Sequence, residues 1–383
     1  DTGGPFFASS CGTTTGFDVE LDQRSAGRTG VSVCNDDTGF VCGRGATLNS
    51  TIPAGPGLHA LIVDACTGSG AYQVRYTLGA CTTGLTRCGT CVNTQTDNNN
   101  CGGCNRQCAT GQFCRGGQCL APPANDTRTG ATVINLTPAS QLLSANTTNA
   151  RNDTAGTCGC TSGNDVFYRF TLTRDEIVYA DTIGATWDTS LFFQSSTGTN
   201  LTTANLTNGA VCNDDGGLSG CATGTQSQVM ARLAPGTYHL VLSGCGNGAA
   251  QIRFQHLPTG NGAVSLLTAG RGLVRSGTTS GTGRVTSTAC TANGPEATYY
   301  WYTCQGAAAG TFTASTCSRA SWDTSLHQSS AARTTLSLCN DDACGTQSSL
   351  SAAIPAGPGL HTFYVDGFGT SSSGTYSVLI TRP

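Results

Sequence analysis

The sequence predicts an all-β protein of three tandem antiparallel β-sandwich domains, the first shortened, plus a small disulfide-rich module. Apolar residues come in short alternating runs of strand length, and no amphipathic run is long enough for a helix. The tetrapeptide CNDD occurs three times, at 34–37, 212–215 and 339–342, which indicates an internal repeat. Eight of the 22 cysteines fall within residues 81–119, so this segment forms a module of its own.

The repeat divides the chain into residues 1–80, 81–119, 120–257 and 258–383. The octapeptide IPAGPGLH is identical at 52–59 and 354–361, and each such turn precedes a strand rich in β-branched and aromatic residues. Copies two and three share an upstream half, 130–172 and 262–304, that copy one lacks. We therefore expect the first sandwich to expose a sheet edge and an apolar face that something else covers.

Composition argues for a compartment outside the cytosol and against polyanionic partners. The net charge is −3, all 19 basic residues are arginine, and there is no basic stripe, so we expect no nucleic-acid partner. No apolar run approaches the roughly 18 residues that a membrane span needs. The cysteines indicate an oxidising compartment, and we interpret the chain, which opens at DTGGPFF, as a mature extracellular or cell-surface protein.

The cysteine-rich module allows two interpretations. CxxC pairs at Cys88/Cys91 and Cys101/Cys104 have the spacing of zinc ligands. Four further cysteines remain and the compartment is oxidising, so we predict four disulfides within the module rather than zinc. The cysteines concerned are Cys81, Cys88, Cys91, Cys101, Cys104, Cys108, Cys114 and Cys119.

Copy two, from APPAND through DVFYRFTL, WDTSL, CNDD and LAPGTYHLVLSGC, resembles the bacterial pre-peptidase C-terminal domain family. Copy three shares the resemblance from EATYYWYTC onward, and copy one only in its second half. The cysteine-rich segment resembles modules of secreted and surface proteins of myxobacteria. The family implies jelly-roll-like β-sandwiches, often appended to secreted enzymes and sometimes with calcium. No catalytic domain is left over here, because the sandwiches and the module use the whole sequence.

The CNDD turn could be a catalytic carboxylate pair, a calcium site or a structural corner. A turn copied in three homologous domains does not suit an active site, and no catalytic motif is present, so we expect no enzyme activity. Calcium binding and a corner capped by Asn and Asp both stay open, and no other cofactor is expected. The candidate calcium ligands are Asp18, Asp36, Asp37, Asp188, Asp214, Asp215, Asp323, Asp341 and Asp342.

The sandwich cysteines are assigned from their neighbours in the sequence. Each CNDD cysteine is followed by another after seven, eight or four residues, which predicts the pairs Cys34–Cys42, Cys212–Cys221 and Cys339–Cys344. Comparison of the copies then suggests Cys11–Cys66, Cys304–Cys317, and Cys245 with either Cys158 or Cys160. The cysteines left over are candidates for bonds between chains, namely Cys290 and Cys160.

These features favour a secreted structural protein, a subunit of an extracellular fibre or surface appendage that polymerises with copies of itself through head-to-tail contacts. One alternative is a carbohydrate- or protein-binding adhesin, for which Trp301 is a candidate ligand face. Another is a non-catalytic accessory region of a secreted enzyme. N-x-S/T sequons, which would carry glycans in a eukaryotic source, occur at Asn49, Asn125, Asn135, Asn146, Asn152, Asn200 and Asn205.

Overall fold

The computed structural model describes residues 4–11, 18–25, 33–35, 45–52, 58–77, 81, 84–88, 90–160, 163–216, 218, 221, 224–260, 262–283, 290, 292–333 and 337–383. These residues form 28 β-strands and one short 3-10 helix, Arg128–Gly130, which confirms the all-β prediction. They divide into two compact units, Asp1–Ala121 and Pro122–Pro383. No helix in the described ranges is long and apolar enough to cross a membrane.

Sandwich one, in the first unit, consists of two three-stranded sheets. Its strands are β1 (Gly4–Ser9), β2 (Asp18–Ser25), β3 (Val33–Asn35), β4 (Thr47–Ile52), β5 (His59–Thr67) and β6 (Arg75–Thr77). The strand orders are β4-β1-β6 and β3-β2-β5, and all pairs are antiparallel. Alternate side chains of β1, β2 and β4 point inward and form a small core of Phe6, Ala8, Val19, Leu21 and Leu48.

The cysteine-rich module contains two short hairpins, one of β7 (Thr86–Cys88) and β8 (Thr90–Val92), the other of β9 (Phe113–Arg115) and β10 (Gln118–Leu120). All eight of its cysteines pair among themselves, as predicted, in the bonds Cys81–Cys91, Cys88–Cys104, Cys101–Cys114 and Cys108–Cys119. A segment this short cannot bury a sufficient apolar core, so the disulfides stabilise it instead. No thiolate is left among the eight residues to bind zinc.

Sandwich two, in the second unit, pairs a five-stranded sheet with a four-stranded one. Its strands are β11 (Thr132–Val133), β12 (Ser140–Asn146), β13 (Val166–Leu172), β14 (Glu176–Asp181), β15 (Thr189–Ser195), β16 (Cys212–Asn213), β17 (Gln228–Leu233), β18 (Gly236–Gly244) and β19 (Ala249–Pro258). The orders are β11-β13-β18-β15-β16 and β12-β19-β14-β17. Alternate residues of β13, including Tyr168 and Phe170, face a core that also holds Phe193 and Phe254.

Sandwich three repeats this topology. Its strands are β20 (Val264–Leu266), β21 (Gly270–Thr278), β22 (Ala297–Thr303), β23 (Gly310–Ser315), β24 (Thr324–Ser330), β25 (Ser337–Asn340), β26 (Ser349–Ile354), β27 (Gly359–Gly367) and β28 (Thr375–Arg382). The orders are β20-β22-β27-β24-β25 and β21-β28-β23-β26. Trp301 is 1% exposed and stacks between Phe312 and His361, with ring centroids 5.2 and 5.1 Å away, so it belongs to the core.

The six strands of sandwich one correspond to the last six of sandwiches two and three. The strand order β3-β2-β5 matches β16-β15-β18 and β25-β24-β27, and β4-β1-β6 matches β17-β14-β19 and β26-β23-β28. The three upstream strands, β11 to β13 in sandwich two and β20 to β22 in sandwich three, have no equivalents among the described residues of sandwich one. Among the described residues, β5 and β6 therefore have no neighbouring strand on the sides where the other sandwiches carry β13 and β12 or β22 and β21.

Sandwiches two and three pack tightly against each other within the second unit. The backbone N–H of Leu360 donates to Gln255 Oε1 at 2.7 Å, and the Tyr300 hydroxyl donates to the Thr207 carbonyl oxygen. An apolar cluster lies between the two sandwiches and includes Ile177, Tyr179, Leu218, Met230, Leu257, Tyr300, Ala331 and Leu360. A disulfide, Cys221–Cys304, joins them covalently.

Candidate cation-binding corners

The CNDD turn begins on the last strand of one sheet in each sandwich. Cys212 lies opposite Phe192 on β15, and Cys339 lies opposite His327 on β24. In sandwich one, Cys34 on β3 lies opposite a residue of β2 in the same register. The repeat seen in the sequence is therefore one structural position that occurs three times.

Hydroxyl groups hold this turn in sandwich two. The Ser227 hydroxyl donates to the carbonyl oxygens of Thr189 and Asp214, the second at 2.9 Å. The Thr182 hydroxyl accepts the N–H of Ser227 at 3.0 Å and lies 2.6 Å from the Thr189 hydroxyl. These bonds satisfy backbone groups that have no partner strand at a turn.

Sandwich three has the same hydroxyl network. The Ser348 hydroxyl donates to the carbonyl oxygens of Thr324 and Asp341, the second at 3.0 Å. The N–H of Ser348 donates to the Thr316 hydroxyl at 3.0 Å. The structural-corner interpretation thus accounts for the backbone of the turn in both complete sandwiches.

The asparagine of the motif completes the corner in sandwiches two and three. Asn213 Oδ1 accepts the N–H of Gln228 at 2.8 Å, and Asn340 Oδ1 accepts the N–H of Ser349 at 3.0 Å. Each bond links the turn to the first residue of the next strand, β17 or β26, which lies in the opposite sheet. The position of Asn in CNDD is therefore explained without a metal.

The aspartates adjoin the corner but are not satisfied by it. In sandwich two, carboxylate oxygens of Asp188 and Asp214 lie within 4.8 Å of each other. Oδ1 of each is buried and accepts no hydrogen bond from the described residues. Burial raises the pKa of Asp214, and the charges of Asp188 and Asp215 raise it further. A bound cation or a proton at this position would reduce the repulsion between the carboxylates.

A short cysteine loop covers this acidic cluster. Gly159 has a φ of +72°, and a Cβ added to it would lie 2.2 Å from Cγ of Asp214. The flanking residues are bonded in Cys158–Cys212 and Cys160–Cys245. Cys245 Sγ also lies near the carboxylates, but as a disulfide sulfur it offers no thiolate ligand. Glycine is required because no side chain fits between the loop and the carboxylate.

The same acid position recurs in the other two sandwiches. Oδ1 of Asp18 and of Asp323 is buried without a hydrogen-bond partner among the described residues. Burial, followed by the charges of Asp342 and Asp341, raises the pKa of Asp323. The candidate ligands Asp36 and Asp37 lie outside the described residues.

These carboxylates fit a hard cation such as Ca²⁺, which binds carboxylate and carbonyl oxygens. The fit rests on the oxygens without partners, at Asp188 and Asp214 in sandwich two and at Asp323 in sandwich three. Asn213 and Asn340 would not be ligands, because their side-chain oxygens already accept backbone hydrogen bonds. The structural-corner interpretation thus explains the backbone and the asparagine of the turn, whereas the calcium interpretation concerns the aspartate oxygens.

Each CNDD cysteine of the complete sandwiches bonds to a loop far upstream, not to its sequence neighbour. Cys212 bonds to Cys158, and Cys339 bonds to Cys290. Cys34 is unbonded and exposed. The predicted pairs that these observations overturn are Cys34–Cys42, Cys212–Cys221 and Cys339–Cys344. The reason is that β16 and β25 lie beside the loops that lead into β13 and β22. The bonded cysteines are therefore 54 and 49 residues apart in the sequence.

The other sandwich cysteines also need correction. The observed bonds are Cys160–Cys245, Cys221–Cys304 and Cys317–Cys344. The first resolves the alternatives for Cys245, whereas the predicted Cys304–Cys317 is wrong. The interchain bonds predicted for Cys290 and Cys160 are wrong because both residues are bonded within the chain. Cys11 is in a disulfide, but the predicted Cys11–Cys66 falls outside the described side chains.

The sequon asparagines differ in how accessible their side-chain nitrogens are. Asn125 Nδ2 donates to the Phe167 carbonyl oxygen at 3.3 Å, and Asn200 Nδ2 donates to that of Ala155 at 2.8 Å. Glycans attach to this nitrogen, so these two sites are the less accessible. The other five are exposed: Asn49, Asn135, Asn146, Asn152 and Asn205.

Two buried acids were not singled out from the sequence. Burial raises the pKa of Asp165 to about 7 and, together with Glu296, that of Asp366 to about 8. Asp366 Oδ2 lies 3.5 Å from His327 Nε2, and burial lowers the pKa of this histidine to about 4. The only signal in the sequence is that Asp165 directly precedes the apolar run of β13.

No protein-family model matches the sequence, and no curated protein matches it. Among solved structures, a triple jelly-roll protein of the turret assembly of an archaeal virus has a TM-score of 0.20 and 10% identity, over 98% of this chain and 78% of that one. The N-terminal CBM22-1-CBM22-2 tandem domain from Paenibacillus barcinonensis Xyn10C has a TM-score of 0.15 and 14% identity, over 64% of this chain and 91% of that one. Scores this low assign neither a family nor a function.

Proposed function

We propose that the protein is a secreted structural protein, a subunit of an extracellular fibre or surface appendage built from β-sandwiches in head-to-tail contact. The observation that carries the proposal is the junction between sandwiches two and three. Apolar side chains and the Cys221–Cys304 bond hold the two domains, where a flexible linker would let them move. A polymer requires such fixed geometry, because each contact must repeat at the same angle.

The disulfides support an extracellular location. Nine bonds join described cysteines, four in the module and five in the second unit. Disulfides in this number persist in oxidising compartments and not in a reducing cytosol. They also suit a protein that works without chaperones or repair.

Two of the five histidines support a non-catalytic role because they make the same structural contact in two sandwiches. His59 Nδ1 lies 2.8 Å from the Ser25 hydroxyl, and His361 Nδ1 lies 2.8 Å from the Ser330 hydroxyl. The contact is the same in two sandwiches, as expected of a structural bond. Burial lowers the pKa of His361 to about 3, which is too low for general base catalysis near neutral pH.

The adhesin alternative loses its candidate ligand face. Trp301 is 1% exposed and stacked inside sandwich three, so it cannot form a platform for a sugar ring. A carbohydrate-binding role would need another aromatic surface. The fibre proposal is therefore the one that we carry forward.

Electron microscopy of the secreted material tests the proposal directly. We expect filaments with a regular axial repeat in negative stain. The variant Cys221→Ser with Cys304→Ser should shorten or disorder them, because the junction would lose its covalent bond. Single particles of monomer size at the concentrations found in the native material would contradict the proposal.

A further inference from the structure

Side chains that carry positive charge or donate hydrogen bonds gather at one end of the core of sandwich three. It is the end at which β22, β24 and β28 finish and β27 begins. Arg333 Nη2 donates to the Ser330 hydroxyl at 3.1 Å, and this hydroxyl lies 2.8 Å from Nδ1 of His361. The His361 ring stacks on Trp301, and Cζ of Arg382 lies 5.8 Å from the centroid of the Trp301 ring. These five side chains form one continuous group, which we call the basic end of sandwich three.

Four nitrogen donors of the basic end are buried without an acceptor among the described residues. They are Nε and Nη1 of Arg333, Nε of Arg382 and Nε1 of Trp301. The hydrogen bonds of the Arg333 guanidinium all start at Nη2, and Arg382 donates through Nη1 to the Leu267 carbonyl oxygen. Folded proteins rarely leave buried donors unpaired, because the hydration lost on burial is then not replaced.

The two guanidiniums of the basic end have no counter-charge among the described residues. The ion pairs in this part of the chain involve other arginines, namely Arg24, Arg174 and Arg253. Burial lowers the pKa of Arg333 and of Arg382, and no described carboxylate opposes this effect. Burial, followed by the charges of these two arginines, lowers the pKa of His361 to about 3, so both guanidiniums lie near one neutral imidazole. Partly buried charges of one sign require an opposite charge nearby.

Sandwich two has an acid at the corresponding position. By strand register, His256 of sandwich two corresponds to Arg382. Glu176 corresponds in the same way to Gly310. The Glu176 carboxylate contacts Nδ1 of His256 and accepts a hydrogen bond from Nε of Arg174 at 3.1 Å. Glycine replaces this acid in sandwich three, so the arginine there lacks the carboxylate that its counterpart has.

The properties of the basic end define the ligand that would satisfy it. The unpaired groups are all donors and two of the side chains are cations, so the ligand must be an anion that accepts hydrogen bonds. The rings of Phe312 and His361 stack with Trp301 at 5.2 and 5.1 Å between centroids, which favours a small ion. A monovalent ion also costs less to remove from water than a divalent one such as sulfate. Chloride is monatomic, carries one charge and accepts hydrogen bonds from any direction.

We propose that the basic end of sandwich three binds a chloride ion through N–H groups of Arg333 and Arg382, with the Trp301 indole N–H as a further donor. The ion supplies an acceptor for buried donors and offsets the two positive charges, as Glu176 does for His256 in sandwich two. Chloride therefore stabilises the folded state, because the unfolded chain does not hold these donors together. This inference does not depend on the fibre proposal.

Thermal unfolding of the chain of residues 1–383 tests whether the folded state binds chloride. Chloride replaces methanesulfonate at constant ionic strength, so that the screening of surface charges stays the same. Above the dissociation constant, a tenfold increase in chloride should raise the folding equilibrium constant about tenfold. The same melting temperature at every chloride concentration would overturn the proposal. An equal rise with sulfate would also overturn it, because the site would then not select a small monovalent ion.

Chlorine-35 nuclear magnetic resonance tests where the ion binds. Chloride that exchanges on and off a protein site gives a broader signal than free chloride. We expect the wild type to broaden the signal, and Arg382→Gln to reduce this broadening severalfold. The matched control is Arg319→Gln, which removes an exposed arginine of the same sandwich and should leave the broadening unchanged.

Circular dichroism checks that each variant is folded. If Arg382→Gln does not fold, Arg333→Gln takes its place, since both arginines are assigned to the site. Equal broadening by the wild type and the folded variant would overturn the proposal, because the ion would then bind elsewhere on the chain.

Discussion

Replacing Ser227 by alanine should destabilise the corner of sandwich two. Its hydroxyl donates to the carbonyl oxygens of Thr189 and Asp214 and lies 3.2 Å from the Thr189 hydroxyl. Ser227 and Thr189 are both 0% exposed, so water cannot replace the lost donor. The substitution removes only one oxygen atom, which keeps the effect on packing small.

The expected size follows from the single hydrogen of the hydroxyl, which the two carbonyl oxygens share. A buried acceptor without a partner costs about 1–3 kcal/mol. We therefore expect a fall of about 1–3 kcal/mol in the free energy of unfolding. Ser348→Ala in sandwich three should give the same loss, because its contacts are the same.

Urea denaturation followed by tryptophan fluorescence and circular dichroism measures this loss. The matched control is Ser377→Ala, at an exposed hydroxyl pair in which Ser377 lies 2.7 Å from Ser276. This control should change the free energy of unfolding by less than about 0.5 kcal/mol. If Ser227→Ala were no more destabilising than Ser377→Ala, the reasoning that hydroxyls hold the corner would be wrong.

Three further outcomes are expected. Millimolar calcium should raise the melting temperature more than magnesium does, and Asp188→Asn should reduce this rise. The same melting temperature in calcium and in a chelator would exclude calcium binding at this corner. Because the folded-state pKa of Asp366 is raised from 3.8 to about 8, its contribution to stability is full below pH 3.8 and is lost as pH rises to about 8. Asp366→Asn should flatten this fall in urea midpoints between pH 5 and 8, and parallel profiles would contradict it. Replacing both Cys221 and Cys304 by serine removes a disulfide that spans 83 residues and should lower the free energy of unfolding, measured by thermal unfolding, by about 4–5 kcal/mol. Removing Cys317–Cys344, which spans 27 residues, should cost less. If removing Cys221–Cys304 cost less than removing Cys317–Cys344, the stabilisation would not come from chain entropy.

The amino-acid sequence determined the features of this protein that depend on short stretches of chain. Alternating apolar residues define the strands, since every second side chain of a strand faces the core. The repeat of CNDD placed its cysteine at the same strand position in each sandwich. The match of residues 1–80 to only the second half of the other two copies was also visible in the sequence. The eight cysteines of residues 81–119 pair among themselves because they are close together in the sequence.

Only the tertiary structure decided which distant residues meet. The sheet places Cys212 beside Cys158 and Cys160 beside Cys245, across 54 and 85 residues, whereas an argument from short loops paired Cys212 with Cys221. The same is true of Asp188 and Asp214, which approach each other from the start of β15 and the end of β16 and whose Oδ1 atoms have no hydrogen-bond partner among the described residues. In an antiparallel sandwich, strand order is set by contacts between whole faces of the sheets. No local pattern records that order, so the sequence can name the residues of a corner but not their partners.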